Sequence, residues 1–135
     1  MIASGTFTFD DDDFPTRLVK IRNKVISLVH EYCINKILLE DIQLQGQTNN
    51  VETYRKLAEV RGVLTELACE MKIPHEIIHS QTWKSTLDIK GRDRNTQKRN
   101  AQAFVADTYG KKVSQDESDA VCIGSAYLKN NKSAF

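Results

Sequence analysis

The chain has 135 residues, 19 basic and 18 acidic side chains and a formal net charge of +1, with 40% hydrophobic residues. That length holds one core and leaves no room for a second, so a single domain over 1–135 is expected. The total charge identifies no partner, no apolar stretch reaches the length needed to cross a membrane, and the start lacks a basic-then-apolar signal pattern, so a cytoplasmic protein is expected.

The N-terminal run IASGTFTF alternates and is rich in β-formers, which predicts one strand ending at Asp10 to Asp13. A helix follows, with an aspartate such as Asp13 as its cap, Pro15 in its first turn, and Leu18, Ile21, Val25, Leu28 or Val29, and Tyr32 at helical spacing. A turn at Cys33 to Asn35 leads into KILLEDI, where Ile37, Leu38 and Leu39 have the character of a buried parallel strand ending at Glu40. The polar stretch QLQGQTNN, holding Gly46, is expected to form a loop just beyond Glu40.

From Asn50 or Val51 to about Lys72 runs the longest helical pattern, with Tyr54, Leu57, Ala58, Arg61, Leu64, Ala68 and Met71 in register and Pro74 as its stop. HEIIHS reads as a second parallel strand, completing a βαβ unit. QTWKSTLDIKGRDRN reads as mixed loop, followed by a basic helix from about Thr96 to Tyr109 and a final helix starting near Asp116. The three cysteines, Cys33, Cys69 and Cys122, form no CxxC pair and read as reduced core residues.

Two groups of residues suggest chemistry. Asp116 and Asp119 are three apart in a predicted helix and so share a face, and Glu40 stands at a strand C-terminus, where open α/β sheets place their sites. Three converging carboxylates suit Mg²⁺, with Mn²⁺ as the alternative, because hard cations take oxygen ligands and one carboxylate cannot orient two ions. The plainer reading makes Asp116 the cap of the last helix and Asp119 an ordinary acid near its start. The second group is basic: Lys84 beside Trp83, then Lys90, Arg92, Arg94, Lys98 and Arg99 offer phosphate contacts, against the plainer reading of a solvated helix face with Trp83 in the core. Lys98 also stands out as a cation able to orient phosphate or water near a carboxylate site. His30, His75 and His79 lack the HExxH spacing of a zinc site and read as structural or surface residues, and no glycine-rich phosphate loop is present.

The ordered set LLED, YRKLAEVRGVL, Pro74 before a strand, Trp83-Lys84, Gly91, Lys98 and DESDAVCIGSAYL resembles the RuvC-type Holliday junction resolvases, in a phage-like branch. The N-terminal SGTFTFDDDDFPTRLVKI is similar to that family's third strand and first helix, so the resemblance covers nearly the whole chain. It implies an RNase H-like fold, a mixed sheet flanked by helices, in a homodimer that contacts through the helix near Leu57 to Met71. The implied reaction is Mg²⁺-dependent symmetrical nicking of four-way DNA junctions. By the same resemblance Glu40, Asp116 and Asp119 are metal ligands and catalytic acids, Lys84 and Lys98 fall near the family's basic residues beside the site, and Arg61-Gly62 matches an RG pair. Two departures accompany these matches. The family's N-terminal hairpin with a fourth catalytic aspartate is not in these residues, so the fold is expected to be N-terminally truncated and the activity weak or absent. The family's aromatic wedge position falls on Gln43. The alternative expectation is a non-catalytic junction-binding or dimerising module of the same fold.

Overall fold

The computed structural model describes residues 1–43 and 51–132. The loop expected around Gly46 falls in 44–50, outside the described residues. In chain order the elements are α1 (Phe14–Tyr32), β1 (Ile37–Glu40), α2 (Val51–Glu70), β2 (His75–Ile78), α3 (Ser80–Thr86), α4 (Arg94–Tyr109) and α5 (Gln115–Asn130). The chain divides into two compact units, residues 8–77 and residues 1–7 together with 78–135.

In the unit of residues 8–77, α1 starts where its sequence says it should. The Asp13 side chain accepts from the Thr16 backbone N–H at 3.2 Å, and Pro15 occupies the first turn, where a missing N–H costs nothing. It ends at Cys33, which takes a left-handed conformation (φ 51°) while the Ile34 N–H reaches back to the Val29 carbonyl at 3.0 Å. Helix α2 ends in the same manner: Lys72 is left-handed (φ 57°), its N–H bonds the Cys69 carbonyl and the Ile73 N–H bonds the Ala68 carbonyl. That paired closure, rather than Pro74 itself, stops the helix. Helices α1 and α2 pack together, and Val29, Leu67 and Ala68 are the buried residues of the two helices. Arg22 adds an ion pair to Glu70.

Strands β1 and β2 form a two-stranded parallel sheet. The Ile37 N–H donates to the Pro74 carbonyl at 3.0 Å and Lys36 pairs with Glu76 at 3.1 Å, so pairing begins where both strands begin. Two expectations change here. Ile37, Leu38 and Leu39 are half-buried rather than buried. The N-terminal run is not a strand, so among the described residues the sheet is parallel and not mixed. A strand exists through its ladder, and the Ser4 carbonyl accepts instead from the Lys111 ammonium at 2.9 Å.

The second unit is built on α5, which packs against α3 and α4. Trp83, Ala101, Val105, Cys122, Ile123 and Ala126 fill its core. Trp83 alone, 1% exposed, stabilises this unit by roughly 3–5 kcal/mol on the scale of aromatic truncations. Helix α3 was expected to be loop. Its start is capped by His79, whose Nδ1 accepts from the Gln81 N–H at 3.3 Å, and burial of Trp83 draws the turn inward. Its end closes with Asp88 left-handed (φ 57°), the Asp88 N–H on the Ser85 carbonyl and the Ile89 N–H on the Lys84 carbonyl. Cys122 is the core cysteine; Cys33 and Cys69 are exposed, contrary to expectation, and none of the three is in a disulfide. No helix among the described residues is long and apolar enough to cross a membrane.

Candidate functional site

The start of α5 is capped by Ser114. Ser114 Oγ accepts from the Glu117 backbone N–H at 3.3 Å, in an S-x-x-E sequence of the capping-box type. Asp116 is therefore not the cap, as the plainer reading had it. It is an exposed acid in the first turn, where the helix dipole favours negative charge. Asp119 lies one turn on, half-buried. Its charge adds to the effect of burial on Cys122, whose thiol is pushed up to about 12. The Cys122 Sγ donates to the Ala101 carbonyl at 3.9 Å, so α5 turns Cys122 into the core while Asp116 faces solvent.

Glu117 has a different task from its acidic neighbours. Its Oε1 accepts from Lys111 Nζ at 2.8 Å and from Ser4 Oγ at 2.7 Å, and Lys111 also donates to the Ser4 carbonyl. These bonds, that from Lys111 foremost, hold the Glu117 carboxyl below its ordinary range. This acid anchors the N-terminal segment, a role the sequence reading missed although SQDE carried the capping signal.

Of the basic residues, Lys84 lies on α3, Lys90 and Arg92 in the segment before α4, and Arg94, Lys98 and Arg99 on α4. Asp93 caps α4, accepting from the Thr96 N–H at 2.7 Å, and that bond holds the Asp93 carboxyl below its ordinary range. Gly91 lies so close to the first turns of α4 that an added Cβ would meet the Gln97 backbone N at 2.9 Å and Thr96 Cβ at 3.1 Å. This is a close approach that only glycine permits. Gln97 spans the gap, donating from Nε2 to the Gly91 carbonyl and accepting Lys84 Nζ on Oε1, both at 3.1 Å. Lys84 also lies 5.4 Å from the ring centroid of Trp83, which is buried as the plainer reading expected. One residue on, Lys98 donates to Gln115 Oε1 at 3.0 Å, bringing its ammonium to the first residue of α5. Lys90 pairs with Asp88 at 3.3 Å, and Arg92, Arg94 and Arg99 are exposed.

Glu40 belongs to the other unit, where it is the exposed last residue of β1. Its neighbour Asp41 accepts from Arg61 Nη1 at 2.9 Å and from the Ile42 N–H at 2.9 Å, which fixes the strand end against α2. Gln43 is exposed at the limit of the described residues before 44–50. The structure thus groups Lys84, Lys98, Asp116 and Asp119 on elements of one unit, with Glu40 on the other. Among the described residues no set of three or more His, Cys, Asp or Glu side chains is gathered so as to hold a metal ion. As donors, Asp116 and Asp119 supply the hard oxygens that Mg²⁺ or Mn²⁺ prefers.

The fold is a helix-rich α/β arrangement around a small parallel sheet, of the type seen in RuvC. The Thermus thermophilus RuvC structure in complex with a Holliday junction substrate matches with a TM-score of 0.74 at 16% identity, over 95% of this chain and 75% of that one. A second Thermus thermophilus RuvC structure matches with a TM-score of 0.68, also at 16% identity, over 93% of this chain and 75% of that one. No protein-family model matches the sequence, and no curated protein is significantly similar to it.

Proposed function

We propose that this chain is a structure-selective endonuclease of RNase H-like fold that nicks four-way DNA junctions as a homodimer. The observation that carries the reading is the bond from Lys98 to Gln115, the first residue of α5 and the sequence neighbour of Asp116, in a chain that shares its fold with RuvC. Glu40 is the third acid of the proposed set.

In this reading Lys84, Lys90, Arg92, Arg94, Lys98 and Arg99 hold the DNA backbone, in proportion to the counterions they release. Lys98 additionally faces the phosphate being cut and offsets the charge that develops there. A divalent cation held by the carboxylates would supply Lewis acidity and a water that ionises near neutral pH. Asp116 lies exposed in the first turn of α5, close to its positive end, and Asp119 follows one turn on, half-buried.

The test is Asp119→Asn assayed on labelled four-way junctions with Mg²⁺. Loss of nicking with binding retained supports an enzyme. Binding by both proteins with no nicking by either supports the second reading, a junction-binding module, which the exposure of Arg92, Arg94 and Arg99 favours.

A further inference from the structure

Lysines in the α3–α5 unit are held in two chemically different ways. Lys111 is ion-paired to Glu117 at 2.8 Å, and so lends little net charge to the surface. Lys84 and Lys98 instead donate to amide oxygens, those of Gln97 and Gln115. An amide carbonyl orients an ammonium through a hydrogen bond but leaves its unit charge uncancelled, because Gln carries no charge of its own. A carboxylate in the same place would orient the lysine and neutralise it.

We propose that Gln97 is a positioning residue that aims Lys84 at a DNA phosphate while leaving its charge intact. The geometry supports a purpose-built holder. The Gln97 amide is fixed at both ends, its Nε2 on the Gly91 carbonyl and its Oε1 on Lys84 Nζ, so it cannot flip without losing both bonds. The backbone of Gly91 is pressed against Gln97 closely enough to exclude any side chain at position 91, which keeps that carbonyl within reach. The buried Trp83 ring, 5.4 Å from the Lys84 ammonium, adds a second contact that limits the rotamers it must give up on binding. The inference rests on the proposed reading that this basic surface meets DNA backbone.

The experiment measures affinity of the full chain for a synthetic four-way junction across a salt series, with melting curves confirming that each variant folds. Lys84→Met should reduce the slope of log affinity against log salt by about 0.9, the value of one phosphate contact. Gln97→Glu, which keeps the side-chain length and adds a charge, should reduce the slope by about the same amount because the carboxylate neutralises Lys84. Gln97→Leu should leave the slope unchanged and weaken binding roughly three- to tenfold, the worth of one orienting hydrogen bond. Added to Lys84→Met, Gln97→Leu should then cost nothing more, since the two act as a unit. An equal loss from Gln97→Leu with and without Lys84 marks a merely structural role and overturns the proposal, as does an unchanged slope in Gln97→Glu. If Lys84→Met itself has no effect, or the unaltered chain does not bind the junction, the reading of the basic surface fails and takes this inference with it. If Lys84 matters and Gln97 does not, the inference alone falls.

Discussion

Lys98 Nζ lies 3.0 Å from Gln115 Oε1, which carries a cation of α4 to the residue preceding Asp116. This one bond links the basic helix to the helix that bears the acid pair. In the proposed reaction Lys98 faces developing charge that is absent in the ground state. Lys98→Ala should therefore lower the nicking rate roughly 10²-fold while weakening junction binding far less. Single-turnover rates at saturating protein, compared with gel-shift affinities, separate the two effects; equal losses in both would make Lys98 a plain binding residue.

Glu117 gives the fold a specific dependence on pH. Its carboxyl, normally titrating near 4.5, is held lower by Lys111 first and then by Ser4. The unfolded chain therefore takes up the proton more readily than the folded one. The stabilisation is complete above the unfolded value, and it is lost as the pH falls through the lowered native value. The melting temperature of Glu117→Gln should fall short of the parent's at pH 7, and the gap should close as the pH drops below 4.5. A gap that persists unchanged into acid would show that the bonds to Ser4 and Lys111 do not depend on the charge.

Two backbone positions predict opposite outcomes for small substitutions. Gly91→Ala drives a Cβ to 2.9 Å from the Gln97 nitrogen, a backbone atom that cannot step aside, and should cost about 1–3 kcal/mol in urea unfolding. Lys72 is an exposed residue in the left-handed region at the end of α2, where its Cβ is a burden. Lys72→Gly should stabilise the protein by about 1 kcal/mol.

Thiol reactivity should sort the cysteines by environment. Cys33 and Cys69 are exposed and should react with a thiol reagent at pH 8 in the folded protein. Cys122 is buried and its thiol is pushed up to about 12, first by burial and then by Asp119, so it should react only after denaturant is added. Fast modification of all three under native conditions would contradict the packing of α5.

The elements that hold their pattern locally were legible in the sequence. Helix α1 carries its cap and first-turn proline in DFP, α2 is long enough for its period to speak, and the two strands follow turns marked by Cys33 and Pro74. The readings that failed depend on contacts distant in sequence. The run from Ile2 to Phe9 has strand composition, but Ser4 is bonded to Lys111 and Glu117, more than a hundred residues away. Helix α3 is too short to show a period, and its burial comes from Trp83 meeting the α4–α5 core. Cys33 was read as core by composition, yet it is the exposed closing residue of α1. At the candidate site the acid and lysine types were visible in sequence, whereas the glutamines that hold the lysines were not. Gln97 and Gln115 acquire their roles only when α3, α4 and α5 come together, and a lone glutamine carries no signal of that.

The central claim is tested most directly by incubating the chain with a labelled four-way junction and Mg²⁺, beside a matched duplex and a chelated control, and reading shifted complexes and nicked strands from the same samples. The account predicts junction-selective binding with paired, chelator-sensitive nicks that Asp119→Asn abolishes while binding persists. Equal binding of duplex and junction, or nicking that survives both the chelator and Asp119→Asn, would contradict it.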